Sequence, residues 1–197
     1  MSVVACKDGV ITTAFLPDCA MKHSVNLMGV IDDVLTRANL DVSACDFFAA
    51  AVGAGSFTGI RIGISAAKGF ALAQGKKTLS VTSFDVIAYN AIERVNGKML
   101  CLINALHDAY YVCGYEKGEI CFSPAYLTEE EVLALSAQGY TLYASGELPI
   151  AQKAHVEIVS PIEGLQKAVL ARAKQGAFGE LSALYVRKSS AEMQACK

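Results

Sequence analysis

The chain opens with two short β-branched runs, Val3–Cys6 and Val10–Phe15, separated by Lys7-Asp8-Gly9. Asp-Gly between apolar runs predicts a β-hairpin, because both residues tolerate the positive φ of a tight turn. From His23 to Asn39 the apolar positions Leu27, Ile31, Val34, Leu35 and Ala38 fall at helical spacing. Phe47–Val52 is then apolar without alternation, the pattern of a strand buried on both faces in a parallel sheet. A glycine-rich turn, Gly53–Gly59, leads into a helix over Thr58–Gln74 that ends near Gly75. A strand over Thr78–Thr82 and a helix over Ser83–Glu93, with Ser83 as N-cap, complete a β-β-α-β-α-β-α order.

Val95-Asn96-Gly97-Lys98 is polar and carries Asn-Gly, so it predicts a boundary between residues 1–96 and 97–197. The second half opens with strands again, at Met99–Ala105, Tyr110–Tyr115 and Glu119–Phe122. Thr128-Glu129-Glu130-Glu131 has the spacing of a capping box ahead of Val132, Leu133 and Leu135. That spacing assigns the glutamates to a helix start rather than to a metal or catalytic cluster. Strands near Thr141–Ala144 and Val156–Val159 and a helix near Glu163–Gln175 follow. Each half starts with antiparallel strands and continues through helix–strand alternation. The pattern predicts a duplicated α/β fold, although no residue-level repeat joins the halves.

Composition narrows the function classes. Of 197 residues, 53% are hydrophobic and 18% charged, which excludes a disordered chain and allows one domain or two small ones with a core of their own. A net charge of −2 argues against a strong grip on nucleic-acid phosphates. The longest uncharged stretch, Phe47–Ile60, is shorter than the roughly 20 apolar residues that cross a bilayer. The first residues lack the basic n-region and long apolar core of a signal peptide. Seven cysteines without a C-x-x-C pair then read as reduced thiols of a cytoplasmic protein. His23, His107 and His155 are scattered, so neither a metal nor another cofactor is expected.

The most specific stretch is Gly53-Ala54-Gly55-Ser56-Phe57-Thr58-Gly59-Ile60-Arg61-Ile62-Gly63-Ile64. Gly53, Gly55 and Gly59 let the chain turn sharply out of a buried strand, and Ser56 or Thr58 can cap the helix that follows. It is neither a Walker A loop nor Gly-x-Gly-x-x-Gly. A tight structural turn is the plain reading, and an anion site at the helix start is the other. The helix after it is rich in small residues, and Gly63 and Gly69 each cost roughly 1 kcal/mol against alanine. Close approach of the sheet, of a helix of this chain or of a partner's helix would offset that cost. In the first helix Met28 and Val30 widen the apolar arc beyond what a one-sided surface helix needs. Either these helices are deeply buried or they meet another chain.

These residues, with Ala66-Ala67-Lys68-Gly69-Phe70-Ala71-Leu72 and Val81-Thr82-Ser83-Phe84, resemble the TsaB (YeaZ) family of bacterial tRNA threonylcarbamoyladenosine biosynthesis. His23-Ser24, Ile31-Asp32-Asp33-Val34-Leu35 and the terminal Leu184-Tyr185-Val186-Arg187-Lys188-Ser189-Ser190-Ala191-Glu192 fit the same family. The resemblance implies an α/β fold of the actin/Hsp70/sugar-kinase type, with duplicated mixed β-sheet domains flanked by helices. It implies a non-catalytic partner of a TsaD-type enzyme that transfers threonylcarbamoyl to adenosine 37 of tRNA. It further implies an assembly with a TsaE-type ATPase, contact with tRNA only through the complex, a homodimer when alone and no membrane. Docking through the two N-terminal helices nominates Leu27, Met28, Val30 and Ile31 with Ile60, Gly63, Ile64, Ala67, Lys68 and Ala71.

Two departures from the family accompany it. The family begins with a strand ahead of the hairpin, central in its sheet, and this first strand is missing here. Its loop is where relatives of the fold bind phosphate, so nucleotide binding is not expected. The second half has Asn104-Ala105-Leu106-His107-Asp108-Ala109-Tyr110-Tyr111 where the family often has Asp-Ala-Arg-x-Gly-Glu-Val-Tyr. Two enzyme readings stand against the partner subunit. A small-molecule kinase of the same fold needs a catalytic carboxylate, for which Asp85 and Asp108 are the candidates. A glycoprotease-like peptidase needs a nucleophile and a base, for which Ser56 and His23 can be nominated, but no Gly-x-Ser-x-Gly elbow occurs.

Overall fold

The computed structural model of the chain describes residues 1–16 and 23–187. Strands β1 (Ser2–Lys7) and β2 (Val10–Phe15) pair antiparallel, with Val4 opposite Thr13. The turn between them places Asp8 at φ 51° and Gly9 at φ 81°, the left-handed pair that Asp-Gly accepts with least strain. Helix α1 (His23–Arg37) follows. Strand β3 (Phe47–Ala51) runs parallel to β4 (Lys77–Val81), with Ala49 opposite Leu79, and helix α2 (Phe57–Gln74) makes the crossover. Gly75 ends α2 in the left-handed region at φ 63°. Helix α3 (Ser83–Ala91) is capped by Thr82 rather than by Ser83. The reason is Asp85: its amide donates to Thr82 Oγ1 at 2.9 Å, and its carboxylate accepts the Thr82 amide at 2.7 Å.

The second half comprises β5 (Lys98–Asn104), β6 (Ala109–Glu116), β7 (Glu119–Thr128), α4 (Glu129–Ala137), β8 (Tyr140–Ala144), β9 (Val156–Ile158) and α5 (Pro161–Lys174). Its five strands form one sheet in the order β7-β6-β5-β8-β9. β5, β6 and β7 are antiparallel neighbours, whereas β8 and β9 join the other side in parallel. β7 runs past Phe122 to Thr128, although Pro124 lies within it, because it is an edge strand whose outer side needs no donor. Thr128 and Glu131 form the capping box expected for α4.

β5 is the centre of the larger core. Met99 and Cys101 face α3 beside Phe84 and Ile87, and Leu100 and Leu102 face α4 beside Val132. In the first half, β3 presents Phe48 and Ala50 to α2, and Phe47, Ala49 and Ala51 to α5. α5 meets α3 at close range, since Gly164 lies directly beneath the Val86 carbonyl. Beyond α5 the chain returns to the first half. Phe178 bridges Leu79, the Gly179 amide donates to Thr78 O at 3.0 Å, and the Leu184 amide donates to Val52 O at 2.7 Å. The first half is not one sheet: among the described residues β1–β2 and β3–β4 are separate two-stranded ladders.

Candidate interaction surface

The glycine-rich turn has a tertiary cause. Gly53 sits at φ 116°, and a Cβ there would lie 2.6 Å from Leu184 O and 3.0 Å from Ile60 Cδ1. The returning chain passes over the turn and leaves no room for a side chain. Gly55, at φ 147°, meets nothing within 4 Å, so its need is conformational. Ser56 is the N-cap of α2, its Oγ accepting the Gly59 amide at 3.3 Å. Thr58 does not cap; it lies exposed inside the first turn, because the helix has already begun at Phe57.

The end of the described chain packs on the start of α2. The Arg61 guanidinium lies 3.7 Å above the Phe57 ring, and its Nε donates to Tyr185 Oη at 3.0 Å. Phe57 and Tyr185 stack with centroids 4.9 Å apart. Arg187 Nη1 donates to Tyr126 Oη at 3.1 Å, which anchors the same segment to β7. Two motifs far apart in sequence thus form one aromatic and basic cluster on the surface.

The nominated docking residues divide by burial. Leu27, Ile60, Ala67 and Ala71 are buried within the chain's own fold and offer no surface. Helical geometry is the cause: each lies on the stripe that faces the strands, so the apolar arc is partly the protein's own core. Ile31 lies half-buried toward the strands, and half-buried Ile64 packs against the cluster of Ala50, Val52, Ala67 and Leu181. Val30 and Gly63 are partly exposed and Met28 is 49% exposed. Lys68 is exposed and pairs with Glu180 at 3.0 Å, an ion pair worth at most about 1 kcal/mol at such a site. A Cβ at Gly63 or Gly69 would meet nothing within 4 Å. Among the described residues neither the sheet nor another helix requires those glycines; the close approaches are at Gly53, Gly114 and Gly164 instead.

The outward apolar face is wider than the nominated residues. Val25 is 78% exposed and Leu72 86% exposed, and Phe57 is exposed beside Arg61. Val25 lies one helical step before Met28. Phe57, Arg61, Ser65, Lys68 and Leu72 form an exposed row along α2 at steps of three and four. Extending the helical spacing by one step finds Val25 and Leu72. Tyr185 is 124 positions from Arg61 and leaves no local signal.

The candidate enzymatic groups are engaged in structure or lie apart. Buried Asp85 accepts the Tyr115 hydroxyl at 3.0 Å as well as the Thr82 amide, and lies 3.9 Å from Arg172 Nη1. Burial first, and the Asp85 carboxylate second, push the Tyr115 hydroxyl far above the usual tyrosine range. Arg172 Nε is buried without a hydrogen-bond partner among the described residues. This group ties α3, β6 and α5 together. Asp108 lies exposed in the β5–β6 turn at φ 53°. Ser56 serves as a cap, and the His23 side chain lies outside the described residues. Among the described residues no three His, Cys, Asp or Glu side chains gather as a metal site would require. Among the described residues no helix is long and apolar enough to cross a membrane.

Two successive α/β units, each opening with antiparallel strands and continuing through a parallel crossover, define a fold of the actin/Hsp70/sugar-kinase type. The YeaZ structure from Pseudomonas aeruginosa has this fold, with a TM-score of 0.74 at 24% identity over 93% of both chains. So does a Pseudomonas aeruginosa protein described as similar to the peptidase YeaZ, with a TM-score of 0.79 at 24% identity over 94% of both chains. A family model described as TsaD, tRNA N6-adenosine threonylcarbamoyltransferase, matches residues 12–186. The Escherichia coli (strain K12) tRNA threonylcarbamoyladenosine biosynthesis protein TsaB is 31% identical over 120 residues, 60% of this chain and 51% of that protein. Its Haemophilus influenzae namesake is 30% identical over 71 residues, 36% of this chain and 30% of that protein. The matched region therefore spans about half, or less, of these curated relatives. The chain belongs to the family that the matching model describes, among its TsaB (YeaZ) members.

Proposed function

We propose that this chain is a non-catalytic partner subunit that supports a TsaD-type enzyme in transferring threonylcarbamoyl to adenosine 37 of tRNA. The observation that carries this reading is the outward apolar face of α1 and α2, with Val25, Met28 and Leu72 exposed on a chain of this family. Exposed apolar area on neighbouring helices is the usual mark of a protein–protein contact. The chain is read as two halves, 1–96 and 97–197, the first carrying the docking helices. The enzyme is the primary partner, a TsaE-type ATPase joins the assembly, and a second copy of this chain takes the same face when the enzyme is absent. tRNA is reached only through the complex, in the cytoplasm. The chain holds no cofactor and performs no chemistry of its own. The engagement of Asp85 and Ser56 in caps supports this over the kinase and peptidase alternatives.

The test is sedimentation of the chain with a TsaD-type subunit from the same cell. Met28→Glu with Leu72→Glu places two charges in the proposed contact without touching the chain's core. Desolvating an unpaired charge costs several kcal/mol, so the double variant is expected to lose the complex by more than about 100-fold while its circular dichroism is unchanged. A folded double variant that still associates like the parent places the contact elsewhere. ATP turnover by the isolated chain that vanishes in Asp108→Asn would favour the kinase reading.

A further inference from the structure

A strand at the end of a ladder presents unpaired N–H and C=O groups to any extended chain that meets it. β1 and β3 turn their second edges to the interior cavity that their residues line, which leaves β2, β4, β7 and β9 with edges to the outside. Three of these four edges are blunted. β4 is covered by the returning chain, through the Phe178–Leu79 bridge and the Gly179 amide on Thr78 O. β7 carries Pro124, which has no N–H to offer a further strand. β9 is only three residues long, with Glu157 in its middle.

β2 has none of these features. Val10-Ile11-Thr12-Thr13-Ala14-Phe15 is β-branched at four positions and has no charge, glycine or proline, the composition that pairs most readily with another strand. Its backbone parity follows from one bond. The Leu16 amide donates to Met1 O, directly opposite, at 2.9 Å. Stepping back by two, Ala14, Thr12 and Val10 bond to β1, and Phe15, Thr13 and Ile11 turn their N–H and C=O groups outward. The outward set is symmetric about Thr13. An antiparallel copy of the same strand would set Thr13 against Thr13 and Ile11 against Phe15, around a two-fold axis. Val10 is 68% and Phe15 47% exposed, so apolar side chains flank the edge as well.

One side chain stands at that axis. Arg37, in the last turn of α1, donates from Nη2 to Thr13 O at 3.0 Å. Asp33, one turn earlier, accepts from Arg37 Nε at 2.9 Å and holds the guanidinium in place. Among the described residues nothing else bonds to the outward groups of Ile11, Thr13 or Phe15. Stability does not account for the arrangement, because both side chains are about half exposed and ion pairs at such sites contribute little. Occlusion accounts for it. A pairing strand would have to displace a charged donor from the central carbonyl. Two-fold pairing would also bring two guanidinium groups together at the axis, where like charges repel and lose water.

We propose that Arg37 keeps the outer edge of β2 from pairing antiparallel with β2 of a second copy of this chain. Asp33 is the residue that positions it. The proposal rests on the parity of β2 and the place of Arg37, and stands whether or not the α1–α2 face binds an enzyme.

Sedimentation of Arg37→Ala tests it, both in the parent chain and together with Met28→Glu and Leu72→Glu, which remove the proposed helical contact. Arg37→Ala is expected to melt within about 4 °C of its background. In both backgrounds its mass is expected to rise about twofold with concentration. Amide exchange at Ile11 and Phe15 should slow on the order of tenfold in the associated form. Arg37→Lys keeps a cation over the edge and should keep the parent's mass. Thr13→Pro decides whether the edge is the site. The Thr13 N–H faces outward, so proline removes no bond to β1 but blocks a further strand. Arg37→Ala combined with Thr13→Pro should therefore return to the mass of its background. The proposal is overturned if Arg37→Ala keeps the parent's mass at every concentration, or if Thr13→Pro fails to reverse the association. It is overturned equally if Arg37→Ala unfolds, which would make the Thr13 contact a part of the fold.

Discussion

The same substitution, glycine to alanine in a helix, is expected to act in opposite directions at Gly164 and Gly63. In an unobstructed helix interior alanine is favoured by about 1 kcal/mol, because it loses less backbone entropy on folding. At Gly63 a Cβ meets nothing within 4 Å, so that gain is available in full. For a chain of this length it corresponds to a rise in Tm of about 2–4 °C. At Gly164 the Cβ would overlap the Val86 carbonyl oxygen and lie 2.8 Å from its carbon. That oxygen belongs to the backbone of α3 and cannot swing aside, so α5 must move off α3. Overpacking of this kind costs about 1–3 kcal/mol, and an obstacle in the main chain puts the cost at the upper end. The expected net effect is a loss of about 2 kcal/mol, or about 4–8 °C in Tm. Thermal and urea unfolding of the two variants, at one protein concentration, reads both signs. If Gly164→Ala melts at or above the parent, the tight α3–α5 contact is wrong.

Two further predictions follow from the buried polar group and the thiols. Asp85→Ala leaves the Tyr115 hydroxyl, the Thr82 amide and Arg172 without their acceptor, and is expected to cost about 3 kcal/mol in urea unfolding; Asp85→Asn, which keeps an acceptor oxygen, should cost less. Burial raises the Cys113 thiol from its ordinary 9.0 to about 11, so the unfolded chain releases this proton first. Its contribution is fully present below pH 9 and is lost as pH rises toward 11, with Tyr115 acting in the same direction at higher pH. Unfolding free energies between pH 8 and about pH 10.5 should therefore fall less steeply in Cys113→Ala than in the parent.

What the sequence discloses is what neighbouring residues decide among themselves. The Asp8-Gly9 turn, the period of α1 and α2 and the Thr128–Glu131 capping box depend on residues a few positions apart, and each appears where its pattern predicts. Even the displaced cap of α3 is local: Asp85 stands three residues after Thr82, and that spacing selects Thr82 over Ser83. The glycines show where locality ends. Gly53, Gly63 and Gly164 are equivalent in composition, yet Leu184 decides the first, Val86 the last, and nothing among the described residues decides the middle one. Leu27 and Met28 make the same point, since both are large and apolar, yet one is buried and the other half exposed by a single step along the helix. An apolar arc read from sequence therefore mixes core with contact surface, and only the strands beneath α1 and α2 separate them. Val25, Met28 and Leu72 remain apolar where, among the described residues, no strand covers them. Gly63 stands nine residues before Leu72, about 180° round α2, and lines the cavity bounded by α1, β1 and β3 rather than the outer face. A second helix laid against the exposed row would therefore bury the outward apolar side chains but leave Gly63 unused, so the two observations need separate causes.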